Sequence, residues 1–478
     1  LEDNPMTLPV NDAAWPPPNP AREEQSLWAD LYASRTVGKP AALTPDPDLA
    51  SGNSDLARER RRVRAGLAAD IAATSAALVM GKAVPVETGD PEVQAVLERI
   101  DAAGLSGVLR QAEEIASAFG GVVLRAVYDP AVSAQPYLTA IDPTRADLTF
   151  VDGRLIAATV WTELQANGAT VYRWVETRDN RARTIENALY RGTASNLGSR
   201  VPLGTLPETA GLPETQAYPP GVDRMVWYHA NALPNRRWPS SPQGRADIQG
   251  AESLVAAADI VLTSLISDIR LGRTRIIAPV EALTRGDATS GAYFQQDREV
   301  FTSLDLDPSS DAGKITMMQG ALRATEHSDA LKALVARAVS VAGYSPSTFG
   351  LGNDGAGESG EALRIRERRT IATVESKRRD WTPAITDAAS VLLALAGYPG
   401  QPVTLAWQPV VEDSATERAT VIQTLTAARA ISTEHAVELA QPHLTPEQVE
   451  EEVQRILEQS GLAVPLDGLP GETYTPGA

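Results

Sequence analysis

Between Ser345 and Gly360 the chain carries five glycines among serine, asparagine, aspartate and proline, including Gly350-Leu351-Gly352-Asn353-Asp354-Gly355, a run that no regular element can hold. Glycine tolerates positive φ, and Ser, Asn and Asp favour turns and caps over helix interiors. The run feeds directly into a helical pattern, Glu361 to Ala396, whose first half is crowded with arginine. A Gly-rich loop before a basic helix can cradle a phosphate, or it can be a mobile loop facing something that moves past. Any fold for this chain has to accommodate one or the other.

Length and charge narrow the choice. At 478 residues the chain can bury a large core divided among two to four domains or lobes. Asp and Glu number 61 against 43 Lys and Arg, a formal charge of −18. That balance argues against gripping nucleic acid along the whole surface, which takes surplus cations. With no cysteine in the sequence, disulfides, thiolate metal sites and cysteine nucleophiles are excluded. The most apolar helical run, Leu254 to Ile269, carries Asp259 and Asp268 and is too short to cross a bilayer. Leu1-Glu2-Asp3-Asn4-Pro5 lacks the basic and apolar regions of a signal peptide, and the leading Leu is expected to reflect a non-AUG start or trimming. The default expectation is a soluble intracellular protein.

Taken in order, residues 1–55 are rich in Pro, Asp, Asn and Ser and read as an extended arm, interrupted by a short helix at Arg22 to Ser34. Leu56 to Met80 reads helical behind a front of Arg58, Arg60, Arg61, Arg62 and Arg64. Such a front is a solvated or subunit-facing surface, or else a nucleic-acid patch. Helices follow at Pro91 to Ala102 and Ser106 to Phe119. The period then changes to that of short strands, Gly121–Tyr128, Tyr137–Ile141, Asp147–Val151, Arg154–Thr162, Ala169–Thr177 and Arg183–Tyr190. Asp152-Gly153 and Asn167-Gly168 are hairpin signals among them. Residues 192–222 read as a loop and Gly221 to Trp227 as a strand.

In Asp247 to Leu271, the residues Leu254, Ala258, Val261, Leu262, Leu265 and Ile269 form one helical face. Ser328 to Ala342 forms another with Leu331, Leu334, Val335, Ala338, Val339 and Ala342. The two helices flank about 55 residues of short strands (Arg273–Val280, Ile315–Gln319) and loops. Pro383 is expected to kink the long helix near Trp381. Thr404 to Trp407 reads as a strand, the chain is helical from Ser414, and Thr445-Pro446-Glu447-Gln448 is a capping box. No internal repeat is present.

Chemistry-bearing motifs are sparse. Gly350-Leu351-Gly352-Asn353-Asp354-Gly355 matches GxGxxG by letter, but a dinucleotide site needs a strand before it and a βαβ unit around it. No Gly-Lys-Ser/Thr closes it as a Walker A loop. His229, His327, His435 and His443 sit at no metal-ligand spacing. Glu412-Asp413 and Glu450-Glu451-Glu452 read as solvated faces or caps, and there is no Gly-x-Ser-x-Gly elbow. Nothing here points to an enzyme, a cofactor or a metal. The largest basic concentration is Arg364, Arg366, Arg368, Arg369, Lys377, Arg378 and Arg379, interleaved with Glu361, Glu367, Glu375 and Asp380 and read as an ion-paired or intersubunit surface.

The order of these features resembles the portal proteins of tailed bacteriophages, in particular those of phages infecting actinobacteria. Trp15-Pro16-Pro17-Pro18 with Leu27-Trp28-Ala29-Asp30-Leu31-Tyr32 is similar to that family's arm, and Glu186 to Gly192 to a wing strand. Gly244-Arg245-Ala246-Asp247-Ile248 resembles the opening of the first stem helix, and Ala321 to His327 the approach to the second. Glu358 to Arg364 resembles the start of the helix after the tunnel loop, and Ile431 to Ala436 with Thr445 to Glu450 the crown.

The resemblance implies an α+β portal fold. It would consist of an arm (1–55), an α/β wing (56–243), two stem helices (244–270 and 319–344) flanking a clip (271–318), a tunnel loop (345–360), a long kinked helix returning to the wing (361–412) and a helical crown (413–478). It implies a ring, of twelve subunits, at one capsid vertex, assembled in the host cytoplasm. The ring would be the channel for packaging and ejecting double-stranded DNA without reading its sequence. Its partners would be the large terminase, head-completion or adaptor proteins, and capsid and scaffolding proteins, with no membrane. Leu351, Asn353, Asp354 and Glu358 would face the channel. Twelve chains would carry a formal charge of roughly −216, which suits guiding a duplex without holding it. The competing readings are another structural virion protein, a capsid or connector subunit, and a nucleotide-binding enzyme built on the Gly-rich loop.

Overall fold

The computed structural model describes residues 8–34, 63–82, 84–271, 275–277, 284–285, 292–293, 316–318, 323–352, 360–410, 415–441, 444 and 446–459. It divides into two compact units: residues 1–354 with 366–408, and residues 355–365 with 409–478.

The first unit opens with residues 8–15, which lie against the chain's own sheet rather than forming a free arm. Trp15 is buried beside Trp161, Val175, Ala188, Tyr190 and Leu197, and its ring meets that of Trp161 edge-on at 4.8 Å. Helix α1 (Arg22–Tyr32) has acidic Glu23 and Glu24 in its first turn, which suits the positive end of its dipole. Helix α2 (Leu67–Met80) is preceded by non-helical residues 63–66, where Gly66 adopts φ +68° and interrupts the helical pattern expected from Leu56. Of the arginine front, Arg58, Arg60, Arg61 and Arg62 lie outside the described residues, and Arg64 pairs with Asp259 at 3.2 Å. A two-residue strand β1 (Val86–Glu87) precedes α3 (Pro91–Ala102), where Asp90 accepts from the Glu92 amide and Pro91 takes the first turn as expected. Helix α4 (Leu105–Phe119) ends at Gly120, φ +84°. A Cβ there would press on the Gly244 carbonyl oxygen at 2.9 Å, so glycine is required.

Two antiparallel sheets follow. In one, β2 (Gly121–Val127) lies between β3 (Tyr137–Ile141) and β10 (Val226–Ala230). The other is a meander of β4 (Ala146–Val151), β5 (Arg154–Asn167), β6 (Thr170–Asp179), β7 (Thr184–Thr193) and β8 (Asn196–Val201), with β9 (Thr215–Ala217) on β7. Asp152 (φ +49°) and Gly153 (φ +76°) make the two-residue turn that joins β4 to β5. At the next joint Asn167 pairs with Thr170, so the turn is Gly168-Ala169, one residue beyond the expected position. The region expected to be loop contains β8 and β9. Strand β8 is hidden in the sequence because Asn196-Leu197-Gly198 lacks alternation and Gly198 sits at φ +75° beside a register shift. The strand expected at Gly221–Trp227 begins instead at Val226, leaving Asp223 and Arg224 exposed.

A buried cluster locks the two sheets. Glu176 on β6 accepts from Arg178 at 2.7 Å and from Arg125 on β2 at 3.0 Å. Burial alone would raise the Glu176 pKa, but the two guanidiniums outweigh it and hold it down at about 2. Arg178 also donates to the carbonyls of Ala126 and Met225.

Helices α5 (Glu252–Leu271) and α6 (Ala324–Ala342) form an antiparallel pair. Only its base is fully buried. Ala251, Val255, Ala338, Val339, Ala342 and Tyr344 pack there against Trp28, Leu67, Ala68 and Ile71. Towards the far end Leu262, Leu265, Leu331 and Leu334 are half-buried and Ile269 is exposed, so the expected faces are only partly covered within one chain. Arg323 and His327 both reach Asp268, closing the pair at 2.9 Å. Between these helices the described strands are β11 (Arg275–Ile277) with β14 (Thr316–Met318), and β12 (Thr284–Arg285) with β13 (Ala292–Tyr293). Helix α7 (Gly360–Leu395) runs unbroken through Pro383, and β15 (Thr404–Leu405) pairs with β1.

In the second unit, α8 (Ala415–Ala427), α9 (Thr433–Ala440) and α10 (Pro446–Gln459) pack in sequence. The Ser432 hydroxyl accepts from the His435 amide as the cap of α9. Val437 and Val449 are the buried apolar residues of α9 and α10.

Candidate functional site

The sequence pointed to the Gly-rich run and the basic helix, and the structure separates their members. Pro346–Phe349 forms a short 3₁₀ turn, followed by Gly350 at φ +74°. Leu351 is half-buried and its amide donates to the Pro346 carbonyl at 3.1 Å. Asn353, Asp354 and Glu358 lie outside the described residues, as does the side chain of Arg364. No strand precedes the run, so a dinucleotide fingerprint lacks its context.

The basic residues of α7 divide into two faces. Arg368, Arg369 and Arg379 are exposed and Arg366 is half-buried. Lys377 and Arg378 are instead buried inside the subunit, which corrects their reading as surface or intersubunit groups. Arg378 donates to the carbonyls of Leu78, Val79 and Gln408 and lies over the Trp407 ring at 5.2 Å.

Lys377 is the centre of a junction that the sequence did not announce. Its Nζ donates to Ser75 Oγ at 2.7 Å, Asp247 Oδ2 at 2.8 Å and Glu113 Oε1 at 2.9 Å. Those three acceptors come from α2, the chain leading into α5, and α4. Ser75 donates on to Glu113, and Trp381 Nε1 donates to the other Glu113 oxygen at 2.5 Å. Asp247 also accepts from Ser117 at 2.6 Å, Asn231 at 2.7 Å and Tyr344 at 3.2 Å. Burial opposes the ammonium charge, but Asp247 and Glu113 outweigh it and keep the Lys377 pKa well above the ordinary lysine value. The signal for this role was its phase. Val374, Lys377, Trp381, Ile385 and Ala388 fall on one helical stripe, and all are buried.

His229 stacks on Trp381 with centroids 3.7 Å apart, and burial first, then the Lys377 charge, pulls its pKa down to about 3. The sign follows from linkage: the unfolded chain takes up a proton near pH 6.5 and the folded one does not until about 3. His229 therefore costs stability progressively as pH falls through that window, by about 1.4 kcal/mol per pH unit. His229→Phe, which keeps the stack, is expected to flatten the acid limb of a denaturant-midpoint profile between pH 6.5 and 4. An unchanged slope would remove His229 as its source. Among the described residues there is no group of three or more His, Cys, Asp or Glu placed to hold a metal ion. Among them no helix is long and apolar enough to cross a membrane.

The polar centre at Lys377 ties α2, α4 and the chain leading into α5 to the long helix α7. The family model described as phage portal protein, SPP1 Gp6-like, matches residues 28–465. The chain belongs to that family. It is a structural component of a tailed-phage virion, a portal protein at the capsid vertex and one subunit of an oligomeric ring. The match is to the SPP1 Gp6-like portal family and does not single out phages of actinobacteria.

A search of curated proteins finds no match. Two similar solved structures are chains from gene transfer agent particles. One is from the neck of a native particle computed with C12 symmetry, at 14% identity and TM-score 0.40 over 83% of this chain and 95% of that one. The other is from the virion of a native particle, at 15% identity and TM-score 0.39 over 86% and 98%.

Proposed function

We propose that this portal protein forms a ring of twelve copies whose axial channel conducts double-stranded DNA into and out of the capsid without reading its sequence. The observation that carries this is the family match over residues 28–465, joined to a helical pair flanking residues 272–323. In this reading α5 and α6 are the stem. Their half-buried distal faces are then completed by adjoining copies, as a closed heterologous ring allows. Residues 271–318 are the clip, docking the large terminase during packaging and head-completion proteins afterwards. Residues 345–360 are the tunnel loop, with Leu351, Asn353, Asp354 and Glu358 towards the DNA, and residues 413–478 the crown. Arg364, Arg366, Arg368, Arg369 and Arg379 remain candidates for the intersubunit surface. The chain carries no catalytic task of its own, ATP hydrolysis belonging to the terminase, and assembly with capsid and scaffolding proteins takes place in the host cytoplasm.

Negative-stain electron microscopy of the purified chain tests the reading. Rings with a central hole are expected, and their absence would return the chain to the other structural virion proteins. Deleting Leu351 to Ala356 is expected to leave rings intact while impairing DNA packaging or retention. Rings lost with that deletion would make the loop a structural element instead.

A further inference from the structure

Two clefts in the first unit, of about 700 and 410 Å³, meet along α7 and share Leu233, Ser376 and Asp380 in their walls. Together they form one groove between α7 and the chain around β10 and its exit. Seven basic residues line it against three acidic ones, in a chain whose overall charge is −18. Two of the charges, Lys377 and Asp247, are spent on each other, and Arg224 is spent on Asp387 at 2.9 Å. No described carboxylate lies within ion-pair distance of Arg154, Arg236, Arg245, Arg369 or Arg379. Arg236 and Arg245 each place one nitrogen on a backbone carbonyl, those of Gln249 and Pro234, which fixes them without neutralising them. The two guanidiniums also repel each other, and Asp247 only partly offsets this at Arg245. At the centre Leu233 is 58% exposed, with Pro383, Ala384 and Ala372 along the helical wall.

We infer that this groove receives an acidic segment of a second copy of the chain, and so supplies part of the contact that closes the ring. The inference rests on the ring reading above. Unneutralised arginines in walled clefts ask for carboxylates, and each copy of a chain at −18 has them in excess. The apolar floor favours a protein segment over nucleic acid. A duplex is about 20 Å across and offers a sugar-phosphate surface, whereas a peptide can place an apolar side chain on Leu233 and carboxylates on the walls.

The test uses the full chain. Arg369→Glu with Arg379→Glu alters two exposed helix positions and should leave the subunit's thermal unfolding unchanged. The ring fraction by mass photometry is expected to fall about tenfold or more, and wild-type rings to weaken as salt rises. In Arg369→Lys, a carbodiimide is expected to form a zero-length amide to a carboxylate of another copy. Mixed isotope-labelled rings analysed by mass spectrometry separate this link from one within a chain. Charge-reversed chains that assemble like wild type would overturn the proposal, and so would links confined to single chains. Normal assembly with loss of binding to a short duplex oligonucleotide would overturn it in favour of DNA. A wild-type chain that forms no ring at all would instead defeat the parent reading.

Discussion

Lys377→Met is expected to lower folding stability by about 3–5 kcal/mol, the scale for removing one partner of a buried ion pair. The side chains are similar in length, so the loss is electrostatic more than steric. Glu113 and Asp247 would remain buried, at 0% and 4% side-chain exposure, without the cation that both contact. Burial without that cation disfavours their charged forms, so folding of the variant would take up protons. Measured against wild type with the same His229, the variant should recover stability as pH falls from 8 to 5. The gap to wild type should narrow across that range in denaturant titrations. A loss of the same size at both pH values would show that Lys377 acts through packing. Adding Asp247→Asn to Lys377→Met should restore part of the loss, since one stranded charge disappears while Ser117, Asn231 and Tyr344 keep a polar partner.

Trp28→Ala is expected to cost a similar amount, about 3–5 kcal/mol, for a different reason. The indole is 1% exposed and fills the space between α1, α2 and the base of the α5–α6 pair. Its Nε1 donates to Glu252 at 3.1 Å, and the same carboxylate accepts from the Gly250 amide ahead of α5. Trp28→Phe retains most of the packing and gives up only the hydrogen bond to a half-buried group, so it should cost about 1–2 kcal/mol. Equal losses in the two variants would assign the anchoring to the hydrogen bond. Ring formation by Trp28→Ala chains should fall with stability, because α1 positions the base from which the helical pair projects.

Elements with local causes were legible in the sequence. Pro91 with a preceding Asp90 fixed one end of α3, Asp152-Gly153 the β4–β5 turn, and the apolar phase of residues 254–269 the long run of α5. What was not legible depends on distant partners. Strand β8 forms because residues 11–15 and β7 hold it from both sides, although its own residues alternate poorly. Lys377 looked like one more member of a basic face. Its partners stand 130, 264 and 302 positions away, and only its place on the stripe with Val374 and Trp381 marked it as interior. The resemblance in feature order carried the function, which neither the glycine pattern nor the arginines would have given.

The placing of residues 11–15 along β8 also bears on how copies meet. Asp12 and Trp15 donate backbone hydrogen bonds to Gly198 and Ser195, and Leu197 donates to Ala13, so the rim of the meander on that side is already paired by its own chain. An unpaired rim strand is a template on which any other strand can zip, and many copies crowded around one assembly point would risk joining sheet to sheet. With this rim sealed from within, copies have no free strand along β8 to zip onto, and a contact made on that side falls to side chains, whose spacing and charge can enforce a single angle.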